Sequence, residues 1–264
     1  MTAEHVLDDR PHAPVRRLAN KVPEVTVYFW IIKVLTTGMG ETASDLLART
    51  LGPIPAVALG GLVLTASLAV QFALRRYVAW AYWTAVVMVS VFGTMAADVL
   101  HVGLGVPYAV STPAFLTALA AVFALWYASE RTLSIHTIRT RRREAFYWAA
   151  VLATFALGTA AGDLTATIGF GYLGSVALFA AAICAPALAH RFGALGAVTA
   201  FWTAYVITRP LGASLADWMA LPHTRGGLAL GLAPVTLAWT VAIIGFVGYL
   251  AAVSQRDRGA HAAA

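Results

Sequence analysis

Four aspartates stand at the same place in a pattern that the chain repeats four times, aromatic-Trp-x9-Gly-x4-Asp: Phe29-Trp30…Gly40…Asp45, Tyr82-Trp83…Gly93…Asp98, Tyr147-Trp148…Gly158…Asp163 and Phe201-Trp202…Gly212…Asp217. The spacing is the same in every copy, so four equivalent helices would carry their aspartates at one depth. Carboxylates gathered at one depth can take up protons or bind a cation. Their hard oxygens, with nearby hydroxyls and carbonyls, suit calcium, magnesium or manganese, and an imidazole such as His101, three residues past Asp98, shifts the preference towards a transition metal. One helical turn before each aspartate stand Glu41, Thr94, Thr159 and Ala213, and two turns before stand Thr37, Ser90, Phe155 and Arg209. Lys33 lies one turn before Thr37, so Lys33, Thr37, Glu41 and Asp45 share one face, as do Ser90, Thr94, Asp98 and His101.

The elements that must position these groups are membrane-spanning helices. Of 264 residues, 60% are hydrophobic and only 11% charged, with a mean hydropathy of +0.75, whereas a soluble domain carries about 25% charged residues. Apolar runs of helical length predict eight spans, at about 24–47, 54–74, 78–100, 108–128, 145–168, 172–190, 195–219 and 228–252. Around them lie an N-terminal tail (1–22), a first four-helix half (23–128), a basic linker (129–144), a second four-helix half (145–254) and a C-terminal tail (255–264). No room remains for a soluble domain.

With eight spans both termini share a side. Fourteen of the eighteen Lys and Arg residues fall on that side, among them Arg10, Arg16, Arg17, Arg139, Arg141, Arg142, Arg143, Arg256 and Arg258, against Arg49 and Arg225 on the other. The positive-inside rule therefore predicts cytoplasmic termini in a bacterial inner membrane. The same distribution explains the net charge of +6 without nucleic acid, since the basic residues sit in short loops between apolar runs. The single cysteine, Cys184, excludes an intramolecular disulfide and a cysteine metal cluster.

Each repeat holds two spans, so all copies enter from one side and the two halves are parallel repeats. Spans 1, 3, 5 and 7 carry the polar stripes, and the even-numbered spans carry almost no ionisable groups. That contrast predicts an inner ring of odd helices clothed by apolar even ones. The tryptophans read most simply as interfacial anchors, and the repeated glycines as close-packing positions.

Five carboxylates (Glu41, Asp45, Asp98, Asp163, Asp217) face two intramembrane cations (Lys33, Arg209), an excess of three negative charges. A bound cation or bound protons can offset it, and competition between the two is the minimal machinery of an antiporter. Two structural readings stand beside this one: the aspartates cap helices in the loops that follow, and Lys33 and Arg209 are packing salt-bridge partners. The glycine-rich segments after each aspartate (51–55, 102–105, 168–171, 225–227) are either tight loops or backbone that turns inward to offer carbonyls.

The segment Lys21-Val22-Pro23-Glu24-Val25-Thr26, with Tyr28-Phe29-Trp30-Ile31-Ile32-Lys33-Val34-Leu35-Thr36-Thr37-Gly38-Met39-Gly40-Glu41 behind it, resembles a bacterial family of uncharacterised membrane-anchored integral membrane proteins. The likeness continues through 158–165 and implies the eight-span architecture without a reaction. A fainter similarity links Gly162-Asp163 to manganese and calcium exporters with repeated Glu-x-Gly-Asp motifs, from which Gly40-Glu41-Thr42-Ala43-Ser44-Asp45 departs.

The expectation is an all-α secondary transporter that exports a divalent cation of the manganese type in exchange for protons. Glu41, Asp45, Asp98, Asp163 and Asp217 are the ion or proton sites, and Glu41, Asp45, Asp98, His101, Asp163 and Asp217 are candidate metal ligands. Lys33, Thr37, Ser90, Thr94, Thr159 and Arg209 support them. The partners are lipid, protons and the cation, with no covalent cofactor and no nucleic acid. An organic-solute carrier using Lys33 or Arg209 as an anion contact, and a scaffold or sensor without transport, are the alternatives. No hydrolase motif is present, so an enzyme is not expected.

Overall fold

The computed structural model describes residues 20–263, with side chains to residue 253 except Val102, and is all-helical with no strand among the described residues. The greater part of the predicted N-terminal tail, with Arg10, Arg16 and Arg17, lies outside them, as do the side chains of Arg256 and Arg258. The helices are α1 (Val27–Leu51), α2 (Pro53–Ala73), α3 (Ala79–Asp98), α4 (Tyr108–Glu130), α5 (Arg141–Thr165), α6 (Gly171–Arg191), α7 (Ala197–Ala220) and α8 (Leu232–Ala263). All lie within a few residues of the predicted runs, except that α8 continues eleven residues past its predicted end at 252.

Local chemistry sets several boundaries. Thr26 caps α1 by accepting from Phe29 N at 3.4 Å, and Thr140 caps α5 by accepting from Arg143 N at 3.3 Å. Gly52 alone joins α1 to α2 at φ +84°, a conformation that glycine adopts without strain, and Pro53 stands in the first turn of α2, where its missing N–H goes unused. After α3 and α5 the helices widen into π-helical turns, Val99–Gly103 and Ala166–Phe170.

Five helical stretches are long and apolar enough to cross a membrane: Pro53–Ala73, Ala79–His101, Tyr108–Glu130, the continuous run Arg141–Arg191 and Leu232–Val253. They mark the chain as a multi-pass membrane protein. The sequence predicts eight spans. The difference has two causes: α5 and α6 run together through the π turn, and α1 and α7 carry Lys33, Glu41, Asp45, Arg209 and Asp217 within their lengths.

The odd helices form a closed inner ring, α1 against α3, α3 against α5, α5 against α7 and α7 against α1. Each even helix packs chiefly on the odd helix of the following repeat: α2 on α3, α4 on α5, α6 on α7, and α8 back on α1. Their outer faces present Leu62, Leu116, Leu125, Leu173, Leu237 and Ile244, all exposed, as a lipid-facing belt.

The repeated residues build the ring. Phe29 packs on Trp83 (ring centroids 5.7 Å apart), Tyr82 on Trp148 (5.6 Å), Tyr147 on Trp202 (6.1 Å) and Phe201 on Trp30 (5.7 Å). Each repeat thus hands its first aromatic to the tryptophan of the next. Trp83, Trp148 and Trp202 are buried, so their indoles pack inside the bundle. The glycines follow the same cycle: Gly40 faces Ser90, Gly93 faces Phe155, Gly158 faces Arg209 and Gly212 faces Thr37. Small residues at these four crossings let the helix backbones approach closely.

Candidate functional site

Three layers stack along the axis of the ring. At one end is the aromatic collar just described. Within it the Tyr82 and Tyr147 hydroxyls hydrogen-bond, and both side chains are fully buried.

Next comes Lys33, also fully buried. Its ammonium lies over the Phe155 ring at 4.0 Å and the Tyr205 ring at 4.2 Å and has no hydrogen-bond partner among the described residues. Aromatic faces are its sole electrostatic support, which is weaker than a carboxylate would give. Arg209, on α7, lies close enough to repel it.

One turn further, Arg209 reaches across the ring. Its Nη2 donates to Glu41 Oε2 at 2.9 Å, to Thr159 Oγ1 at 2.7 Å and to Thr94 Oγ1, while Nη1 donates to Thr37 O at 2.7 Å. One guanidinium therefore joins residues of all four odd helices, and its fork of donors suits that task. Glu41 and Arg209 are both buried, so each charge depends on the other and on the threonines for compensation. The reading of Arg209 as a packing partner holds. Lys33, by contrast, has no ion-pair partner among the described residues.

Beyond this plug lies a cavity of about 530 Å³. Asp45, Asp98, Asp163 and Asp217 all line it, and Glu41 lies at its floor; Ser44, Tyr108, Tyr172, Arg49 and Arg225 complete its polar wall. Asp45, Asp163 and Asp217 lie inside their α-helices, and Asp98, the last residue of α3, makes no capping hydrogen bond to the π turn after it. The capping reading therefore does not describe them. Asp45 pairs with Arg49 at 3.5 Å, one turn along α1, and Asp163 lies near the Tyr108 hydroxyl. Asp98, Asp163 and Asp217 have no ion pair among the described residues.

Other candidates lie elsewhere. His101 sits in the π turn after α3, with Nδ1 2.9 Å from Val106 O and Nε2 3.3 Å from Ser111 Oγ, and its ring stacks on Tyr108. Both imidazole nitrogens thus serve the α3–α4 connection. Among the described residues no group of three or more His, Cys, Asp or Glu side chains could hold a metal ion, so the six candidate ligands do not form one coordination set. The carboxylates are spread around a cavity, and Glu41 is held by Arg209. Thr37 and Thr159 brace the plug, whereas Ser90 Oγ is buried beside Gly40 without a partner.

Sequence reasoning missed several members of the site. Ser44, Tyr108 and Tyr172 carry little signal, apart from the tyrosine that follows Asp98 by ten residues and Asp163 by nine. A second buried ion pair, Lys21 Nζ to Glu144 Oε2 at 2.6 Å, lies beyond the collar with Gln71 Nε2 donating to Glu144 Oε1 at 3.2 Å. It ties the segment before α1 to α2 and α5. Gln71 belongs to a helix that otherwise reads as apolar.

No curated protein and no solved structure matches this chain. The model of a repeat of unknown function (DUF347) matches residues 28–77, 81–132, 146–192 and 200–256, and each match holds one aromatic-Trp-Gly-Asp unit with the even helix that follows it. The ring of four quasi-equivalent odd helices is this repeat closed on itself, and the chain belongs to the DUF347 repeat family.

Proposed function

We propose that the chain is a secondary transporter of the bacterial inner membrane that exchanges a cation for protons at the aspartate-lined cavity. All eight helices cross the bilayer in this reading, and the bias of Lys and Arg puts both termini in the cytoplasm and the cavity towards the outer face. The observation that carries it is the convergence of Asp45, Asp98, Asp163 and Asp217, one from each repeat, on a single cavity. Ionisable groups inside a membrane protein are costly to bury and usually line ion or proton pathways. The Arg209–Glu41 plug and the aromatic collar close the other side, as alternating access requires of one state.

A divalent cation of the manganese type remains the small-ion form of this proposal. It would meet the spread carboxylates through its water shell. The organic-solute form is favoured by the cavity, whose 530 Å³ falls within the ordinary range for small-molecule sites, roughly 300–1,000 Å³. In that form Lys33 and Arg209 are not solute contacts, because neither lines the cavity.

Transport by the purified protein in proteoliposomes tests the proposal, with manganese and organic ammonium ions offered under a pH gradient. The expected result is proton-coupled flux that Asp98→Asn or Asp163→Asn abolishes. Flux of neither class by folded protein would leave a scaffold or sensor.

A further inference from the structure

The aromatic collar is not covered alike at all its corners. Where α5 meets α7, Phe123 and Trp126 of α4 lie on Trp202 with ring centroids 4.9 and 5.8 Å away, and Trp202 Nε1 donates to Leu133 O at 2.9 Å. Where α7 meets α1, Phe201 and Trp30 are only half-buried and line a separate crevice of about 560 Å³. The cause lies in α6. Ser111 of α4 and Ser175 of α6 hold equivalent places, bonded to His101 and Thr165 of their own repeats. Twelve and fifteen residues further on, α4 has Phe123 and Trp126, whereas α6 has Ala187 and His190, and both of these line the crevice.

The crevice joins an apolar wall to a polar mouth. Trp30, Ile183, Val198 and Phe201 form the wall, and Ser134, His136 and His190 stand at the mouth, with no carboxylate in the lining. Arg139 and Arg191, both exposed, follow these two histidines closely in the chain. From Ile183 to His190 the crevice runs about 10 Å along α6, at the end of the bundle that also carries the basic linker. A basic pocket between membrane helices at such a level suits the headgroup of an anionic lipid, and its apolar wall suits the chain below.

We infer that this crevice binds one anionic phospholipid, its phosphate at the histidine mouth and an acyl chain along Trp30 and Phe201. The lipid gives this corner the cover that Phe123 and Trp126 give to Trp202. The assignment is independent of what the aspartate cavity carries.

Thermal unfolding of the purified full-length protein in detergent tests this, with dioleoylphosphatidylglycerol, dioleoylphosphatidylcholine or inorganic phosphate added. Phosphatidylglycerol is expected to raise the midpoint by about 3 °C or more over phosphatidylcholine at equal mole fraction, and phosphate to leave it unchanged. The double variant Ala187→Phe, His190→Trp copies the packing on Trp202 and is expected to lose that increment. A second reading needs no filled crevice: phosphatidylglycerol with brominated chains is expected to quench tryptophan emission more than brominated phosphatidylcholine, and Trp30→Phe to remove at least half of the difference. Equal effects of the two lipids, an increment that survives in the double variant, quenching unchanged in Trp30→Phe, or stabilisation by phosphate alone overturns the inference.

Discussion

Gly158 and Arg209 fit only because one of them lacks a side chain: a Cβ on Gly158 would overlap the Cβ and Cγ of Arg209. The repeated glycine of the third repeat thereby makes the space through which the fourth repeat sends its guanidinium to Glu41. A sequence pattern of simple spacing becomes a charged crosspiece at the centre of the ring.

Gly158→Ala is expected to destabilise the protein by about 1–3 kcal/mol, the usual cost of overpacking a filled crossing. Gly245, in α8, has nothing within 4 Å of an added Cβ, so Gly245→Ala is expected to be neutral or to stabilise by about 0.5–1 kcal/mol through helix propensity. Thermal unfolding of both variants in detergent checks the contrast.

Removing one member of the Glu41–Arg209 pair leaves the other charge buried without its ion-pair partner. Arg209→Met and Glu41→Gln are each expected to cost about 3–5 kcal/mol, and the double variant much less than the sum. A double-mutant cycle on unfolding measures the coupling. Additive losses would show that the pair does not act as a unit.

Thr94 and Thr159 receive the same guanidinium nitrogen, so Thr94→Val and Thr159→Val each remove a charged hydrogen bond while keeping side-chain volume. A loss of about 1.5–3 kcal/mol is expected for each. Thr167→Val, on an exposed hydroxyl that bonds only Leu164 O at 2.9 Å, is the comparison and should change stability by less than about 0.5 kcal/mol.

At the collar end, Glu144→Gln removes the negative charge that faces Lys21 while keeping the side-chain shape. Limited proteolysis near residues 20–26 is expected to accelerate at least tenfold, because Lys21 ties this segment to α5 and, by its 3.3 Å bond to Phe72 O, to α2. An unchanged cleavage rate would mean that other contacts, such as Lys21 N to Ile138 O at 3.1 Å, suffice.

The ring of odd helices and the shared level of the aspartates were legible because identical spacing on a rigid helix fixes depth and face. Asp98 and Asp163 need no structure to be placed at one level. Pairing across the ring was not legible: Arg209 and Glu41 are 168 residues apart, and no periodicity states which corner receives which side chain. The tryptophans illustrate the same gap, since no spacing states that Trp148 packs against Tyr82 of the preceding repeat. His101 shares a helical face with Asp98 in sequence, but the π turn at Val99–Gly103 rotates it towards Val106 and Ser111.

In the proposed transporter, cations and protons compete for the aspartates of the cavity. Proton release measured in weakly buffered detergent solution, as a binding cation is added to the purified protein, tests it most directly. Release of about one proton or more per bound cation is expected, with a clear reduction in Asp98→Asn and Asp163→Asn. Saturable cation binding without proton release, or release unchanged in both variants, would contradict it.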